Sequence, residues 1–292
     1  MRIAVLTRLP SYYSQQRLSE EGKKRGHDVQ IINYQKCYVT LDGKKSEARY
    51  EGASLQDIDA VIPRLMTGTV SYGATITRQL EVAGVYTTVS SVAITRTFDR
   101  ARALQVLNRS GVPIPKTIVA RDADQWGELL SHFELPVMIE SVSTTKGSGP
   151  VLIESVKAAT AVTRAIGGGT PFIMQERMGE DSVDIAAMVV GGRVVASVKH
   201  ALIAVKTSNI ATAVRVTAEE NKIILRAAKA LGLTICSVQI IRSAQGTYVI
   251  GADATPSLEL FEQATKRNVA EKIIEYIELH AKRRNKKDRV GA

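Results

Sequence analysis

The segment Ser143-Thr144-Thr145-Lys146-Gly147-Ser148-Gly149-Pro150 has the composition of an anion-binding loop. Small side chains and glycines let backbone N–H groups approach phosphate oxygens closely. The Walker A spacing G-x-x-x-x-G-K-[S/T] is absent, and on its own such a segment is more often a plain flexible turn. Other short motifs occur around it in order: Phe98-Asp99-Arg100, then Met174-Gln175-Glu176, Asp184-Ile185, Ser208-Asn209 and Ala254-Thr255-Pro256-Ser257-Leu258-Glu259. His27, His132, His200 and His280 are scattered, without metal-ligand or nucleophile–base spacing, and read as structural or surface residues. Cys37 and Cys236 are too few and too far apart for a disulfide framework or a zinc site, so they read as reduced cytosolic thiols, Cys236 as a small core hydrophobe. Trp126 reads as a packing residue, and the chain has neither G-x-S-x-G nor a basic–aromatic stripe for single-stranded nucleic acid.

Elements must position these residues. Strands are predicted at 2–6, 27–32, 59–62 and 85–88, with helices at 14–25 and 72–83 between them. This alternation implies parallel pairing through right-handed crossovers, a small open α/β sheet. No G-x-G-x-x-G follows the first strand, which disfavours a dinucleotide-binding domain. Residues 90–97 read as a break, followed by a helix at 99–109 and the rigid connector Val112-Pro113-Ile114-Pro115. An α+β pattern follows. Strands fall at 118–120, 136–141, 151–154 and 172–175, and helices at 124–133 and 156–166. A hairpin of 184–190 and 193–200, a helix at 218–231, strands at 236–242 and 247–252 and a helix at 268–282 complete it. The expected domains are 1–95 and 96–281, the latter with lobes of about 96–175 and 176–281, and then a basic tail at 282–292.

Joined with Ile3-Ala4-Val5-Leu6, Arg25-Gly26-His27, Val61-Ile62-Pro63-Arg64 and Tyr72-Gly73, the ordered motifs resemble the ATP-grasp superfamily. More narrowly, the chain resembles the RimK-type α-L-glutamate ligases, which add glutamate to the C-terminus of a small-subunit ribosomal protein, over about residues 1–282. The resemblance implies an α/β and α+β fold, an N-terminal open α/β (pre-ATP-grasp) domain followed by an ATP-grasp module whose two lobes clamp ATP. It implies that a carboxylate attacks the γ-phosphate to give an acyl phosphate, from which an amine displaces phosphate to form an amide. Such transfer is catalysed by positioning and charge neutralisation. The nucleotide-binding positions carried over are Arg100, Glu140, Thr145, Lys146, Gly147, Ser148, Gly149, Gln175, Glu176, Asp184, Ser208 and Asn209. Gln175 and Glu176 stand at the strand end that meets adenine and ribose in the family.

Several charged positions depart from that pattern. Glu140 stands where the family carries a phosphate-binding lysine, and Arg100 replaces a lysine at the helix start. Unit charges about 4 Å apart interact by about 4 kcal/mol at an effective dielectric near 20, so a glutamate aimed at phosphates would oppose binding. At the magnesium positions the family's aspartate, glutamate and asparagine become Gln239, Gly251 and Asp253, leaving Asp253 as the residual ligand. Magnesium relies on carboxylates and substrate phosphates in near-octahedral geometry. Asp184-Ile185-Ala186 lacks the arginine expected at its third position, and the basic loop between His200 and Thr217 is shorter. Lys146, Glu259 and Glu262 are the candidates to compensate, or else solvated surface charges.

The leading expectation is therefore a RimK-like protein that has lost ligase activity, with ATP binding retained as an option, magnesium doubtful, and action through a protein partner. That partner would be a ribosomal protein or an active paralogue, and homo-oligomerisation carries over from the family. One alternative is an active ATP-dependent carboxylate–amine ligase. Another is a ribosome- or RNA-associated factor using the tail. Net charge is +10, but six basic residues against Asp288 put half of it in the last eleven positions, so RNA contact is expected through the tail if at all. The longest apolar stretches are too short for a membrane span, and the N-terminus lacks a secretory pattern, so a cytoplasmic protein is expected.

Overall fold

The computed structural model describes residues 1–43, 45–121, 126–142, 150–165, 170–179, 181–199 and 211–284. The first third contains β1 (Arg2–Thr7), α1 (Tyr13–Lys24), β2 (Asp28–Asn33), β3 (Cys37–Leu41), β4 (Ser46–Tyr50), β5 (Ala53–Ser54), β6 (Ala60–Arg64), α2 (Val70–Val82) and β7 (Tyr86–Thr87). β2, β1, β6 and β7 pair in that order, all parallel, as the strand–helix alternation predicts. β3, β4 and β5 form a separate antiparallel ribbon where the sequence reading has no element. Within those strands only Cys37 and Ala48 are buried, which is too sparse an alternation to reveal them.

The break expected at 90–97 is corrected. That stretch is α3 (Ser91–Phe98), capped by the Ser90 hydroxyl, which accepts from Ala93 N at 3.1 Å. The Glu81 carboxylate also accepts from Ser91 N (2.9 Å) and from its hydroxyl (2.7 Å). Capping and tertiary contact here outweigh the modest helix propensity of its Ser, Thr and Val residues. The next helix, α4 (Arg100–Arg109), starts on Asp99, whose side chain accepts from Arg102 N at 3.0 Å. That cap fixes Arg100 in the first turn.

The small lobe comprises β8 (Thr117–Ala120), α5 (Trp126–Ser131), β9 (Val137–Ser141), β10 (Val151–Ile153), α6 (Val156–Ala165) and β11 (Phe172–Glu176). Its antiparallel sheet runs β10-β9-β11-β8. It has its own core, in which Trp126 stacks on Phe172 with ring centroids 5.0 Å apart, so the packing role expected of Trp126 holds. The large lobe has β12 (Val183–Val190), β13 (Arg193–Lys199), β14 (Thr212–Ala213), α7 (Ala218–Leu231), β15 (Ile235–Ser243) and β16 (Gly246–Asp253). These strands order as β14-β13-β12-β15-β16. Finally come α8 (Leu258–Thr265), absent from the sequence reading, and α9 (Val269–Arg284). Buried Leu258, Phe261 and Glu262 give α8 an inward face of one turn, too brief a period to stand out. One continuous hydrophobic core joins the N-terminal sheet, α4, the large-lobe sheet and α9. The site lies where this body meets the small lobe.

Candidate functional site

Alternation along β9 buries Val137, Ile139 and Ser141 and turns Met138 and Glu140 the other way. Both line a cavity of about 330 Å³ whose opposite wall is Gln239, Ile241 and Ile250 to Ala252 of the large-lobe sheet. Arg100 reaches in from α4. Its Nε lies 2.8 Å from Glu140 Oε2, and its Nη2 donates to Gln175 Oε1 at 3.2 Å. The Arg100 Nε–H is not aligned on an acceptor, so the Glu140 contact is an ion pair rather than an aligned hydrogen bond. Burial pushes the Glu140 carboxyl above the ordinary range, and the Arg100 charge pulls it partly back. This corrects the expectation of a bare negative charge aimed at phosphates. Glu140 is neutralised by Arg100, and phosphate could claim that guanidinium only by opening the pair.

Gln175 also donates from Nε2 to Thr117 Oγ1 at 3.0 Å, and Glu176 Oε1 accepts from Lys116 N at 2.7 Å. Both residues thus sit in the cleft, tied to the connector that enters the small lobe. Gln239 and Gly251 are register partners on β15 and β16. A Cβ at Gly251 would lie 3.2 Å from Arg100 Nη1 and 3.4 Å from Gln239 Oε1, so the guanidinium fills space where a longer side chain would project. Gln239 donates to Ser237 Oγ at 3.0 Å. Asp253 Oδ1 accepts from Thr255 N at 2.7 Å, which places the carboxylate at the start of the β16–α8 turn. Among the described residues no group of three or more His, Cys, Asp or Glu is placed to hold a metal ion.

The proposed compensating residues divide. Glu262 is buried, accepting from Tyr13 Oη (2.9 Å), Arg17 Nε (3.1 Å) and Ala270 N (2.9 Å). It is a structural tie between α1, α8 and α9, and both readings of it, metal ligand and solvated charge, are corrected. Glu259 is exposed, accepts from Gln263 Nε2 at 3.0 Å and lines a second cavity. Ala186 is buried opposite Gln239, while Asp184 pairs in register with Ile241 and lines neither cavity. Thr145, Lys146, Gly147, Ser148, Gly149, Ser208, Asn209 and tail residues 285–292 lie outside the described residues.

The second cavity, about 590 Å³, shares Arg100, Glu140 and Gly251 with the first and extends to the carboxyl ends of the N-terminal strands. There the structure adds Arg64, the last residue of β6, which the sequence reading treats only as part of a signature. Its Nε has no hydrogen-bond acceptor and essentially no exposure, and among the described residues it forms no ion pair. Burial lowers its pKa to about 10, against the charge of Asp253. Its position could have signalled it, because ligands of open α/β sheets bind beyond the carboxyl ends of the strands.

The fold is that of an ATP-grasp protein with a pre-ATP-grasp domain. Residues 1–94 match the RimK PreATP-grasp domain and residues 97–277 the RimK-like ATP-grasp domain. The chain belongs to the RimK-like ATP-grasp family. It is 39% identical over 292 residues to a "Probable alpha-L-glutamate ligase" of Nitrosococcus oceani, covering 97% of both chains. It is 37% identical over 298 residues to "Probable alpha-L-glutamate ligase 2" of Pseudoalteromonas atlantica, covering 99% of both. A similar solved structure is the RimK domain protein ATP-grasp from Sphaerobacter thermophilus, with a TM-score of 0.75, 19% identity and coverage of 94% and 99%. Another is the ATP-grasp ligase PsnB complexed with phosphomimetic variant of minimal precursor, Mg and ADP, with a TM-score of 0.76, 17% identity and coverage of 95% and 97%. Among the described residues no helix is long and apolar enough to cross a membrane.

Proposed function

We propose that this chain is a RimK-like protein that has given up magnesium-dependent ligation and acts by binding. The supporting observation is Arg100, paired with Glu140 at 2.8 Å and standing 3.2 Å from where a Gly251 side chain would begin. The family resemblance puts a metal carboxylate at position 251, and here a guanidinium takes that space. Of the three positions 239, 251 and 253, with Gln239 neutral and Gly251 bare, only Asp253 supplies a carboxylate. A magnesium ion close to Arg100 would meet repulsion of about 4 kcal/mol per unit charge at 4 Å and an effective dielectric near 20. These residues do not fit the ion. The binding role would engage a protein partner, a ribosomal protein or an active paralogue, or a further copy of this chain.

The second reading is an active carboxylate–amine ligase. It is favoured by the names of the relatives, at 37% and 39% identity over nearly the whole chain. Calorimetric titration with ATP, with and without magnesium, separates the two. The expected result is no magnesium-dependent binding by the natural chain, and its appearance in the combined variant Arg100→Lys, Glu140→Lys, Gln239→Asp, Gly251→Glu. Magnesium-dependent binding by the natural chain, with ADP formed in the presence of a carboxylate and an amine, would establish the ligase instead.

A further inference from the structure

We propose that the outward face of α4 and α7 docks the phosphate backbone of duplex RNA. The two helices pack on each other and both pack on β16 of the large-lobe sheet. Helical spacing aligns their charges. Buried Ala103, Leu104 and Leu107 turn α4 so that Arg102, Gln105 and Arg109 face outward, and buried Ile224, Ala227 and Leu231 do the same for Lys222, Arg226 and Lys229 of α7. All five cations are exposed, none lines either cavity, and among the described residues none forms an ion pair. The two stripes meet at the end of α4, where Arg226 Nη2 lies 2.8 Å from the place a Cβ on Gly111 would take. α4 contains no acidic residue, and α7 has none after Glu220, whose carboxylate is held by Arg242. Half of the net charge of +10 lies in the tail, and these five cations match the other half.

The composition of the face selects the partner. A protein interface needs an apolar or aromatic centre, and a membrane-surface helix needs an apolar side to insert, whereas no large hydrophobic side chain of α4 or α7 is exposed. Neither helix carries an aromatic residue, which removes the platform on which unpaired bases stack. Cations without apolar anchors suit a regular row of phosphates, and they position a duplex without reading its sequence. Beside them α4 exposes the amides of Gln105 and Asn108. An amide both donates and accepts, as does the 2′-hydroxyl that distinguishes RNA, and so RNA is assigned over DNA. Each stripe spans about 10 Å of helix, enough for the five cations to meet about five phosphates. This partner is independent of whether the cleft ligates anything.

The full chain, tail included, is titrated by fluorescence anisotropy with a labelled RNA duplex of about 20 base pairs, the DNA duplex of the same sequence and polyglutamate, across about 50 to 200 mM salt. The comparison is the combined variant Arg102→Gln, Arg109→Gln, Lys222→Gln, Arg226→Gln, Lys229→Gln. The natural chain should bind RNA, and the variant should bind it about a hundredfold more weakly at about 100 mM salt, with a log–log salt slope shallower by about 4. A loss of less than about tenfold overturns the proposal and leaves the tail as the contact. Absence of RNA binding at about 50 mM salt overturns it too. Equal or tighter binding of DNA would overturn the assignment to RNA, and polyglutamate bound as tightly as RNA would mark a surface for an acidic protein instead. If circular dichroism shows the combined variant unfolded, Lys222→Gln with Lys229→Gln is read in its place. A slope shallower by about 2 then supports the face, and an unchanged slope overturns it.

Discussion

Arg100 and Glu140 bridge two bodies of the protein, with Nε and Oε2 2.8 Å apart. Arg100 belongs to α4, which packs into the main core through Ala103 and Leu107, while Glu140 belongs to β9 of the separately cored small lobe. The pair therefore holds the cleft as well as neutralising it.

Removing one charge should expose the other. Glu140→Gln is expected to raise affinity for pyrophosphate by about tenfold, with a dependence on salt that the natural chain lacks. In the natural protein, affinity should rise as pH falls, because the Glu140 carboxyl, lifted by burial, takes up a proton and releases Arg100. Glu140→Gln should flatten that rise. Titration calorimetry at several acidic pH values checks both, and equal affinities would show that the pair is no barrier.

A second charge cluster governs acid stability. Glu278 of α9 accepts from Arg25 (2.7 and 3.1 Å) and contacts His27 Nε2 at 2.7 Å. The Arg25 hydrogen bonds hold its carboxyl down at about 2, against an ordinary 4.5, with burial opposing and His27 assisting. The folded pKa is depressed, so this stability is present above pH 4.5 and is lost as pH falls towards 2. Allowing for the exposure of Arg25, the contribution is about 1–2 kcal/mol. Urea unfolding at pH 7 and pH 3 should show Glu278→Gln less stable at pH 7, with the gap narrowed but not closed at pH 3, where part of the contribution is already lost.

Packing under the site is tight at Gly73. An added Cβ would lie 2.5 Å from Leu65 Cδ2, and Leu65 follows Arg64 directly. Gly73→Ala should cost about 1–3 kcal/mol in chemical denaturation. Gly127, in α5, has nothing within 4 Å of its Cβ position, and Gly127→Ala should be neutral or stabilise by up to ~1 kcal/mol. Equal effects at the two glycines would contradict the geometry.

Both cysteines should be unreactive in the folded chain. Burial pushes the Cys37 thiol to about 12 and raises Cys236 as well. A disulfide reagent at pH 8 should label neither cysteine natively and both after unfolding. Rapid native labelling would contradict that burial.

The parallel sheet was legible because each of its longer strands is an apolar run separated from the next by a helical period. β12, β15 and β16 were legible as apolar runs as well, the last two joined by a short hairpin. The ribbon β3–β5, α3 and α8 were not, because caps and tertiary partners hold them rather than a strong pattern of their own. At the site, the sequence located Glu140, Gln239 and Gly251 and read them as a joint loss of charged functions. Only three dimensions show Arg100 answering the first and filling space beside the other two. Arg64 was missed as a site residue because its unmet Nε comes from packing, which spacing along the chain does not encode.

The chain enters the small lobe after Lys116 and leaves it at Glu176, and those two residues are hydrogen-bonded backbone to backbone, Glu176 N donating to Lys116 O at 3.1 Å. The lobe is thus an excursion whose entry and exit coincide. Such a loop can be exchanged as a cassette, since a graft joined at 116 and 176 leaves the path of the main body unchanged. A relative's lobe, lacking Glu140, could then be placed on this body to ask which half of the molecule has departed from the family. Should the hybrid fail to fold while both parents fold, the two halves have changed together across the cleft.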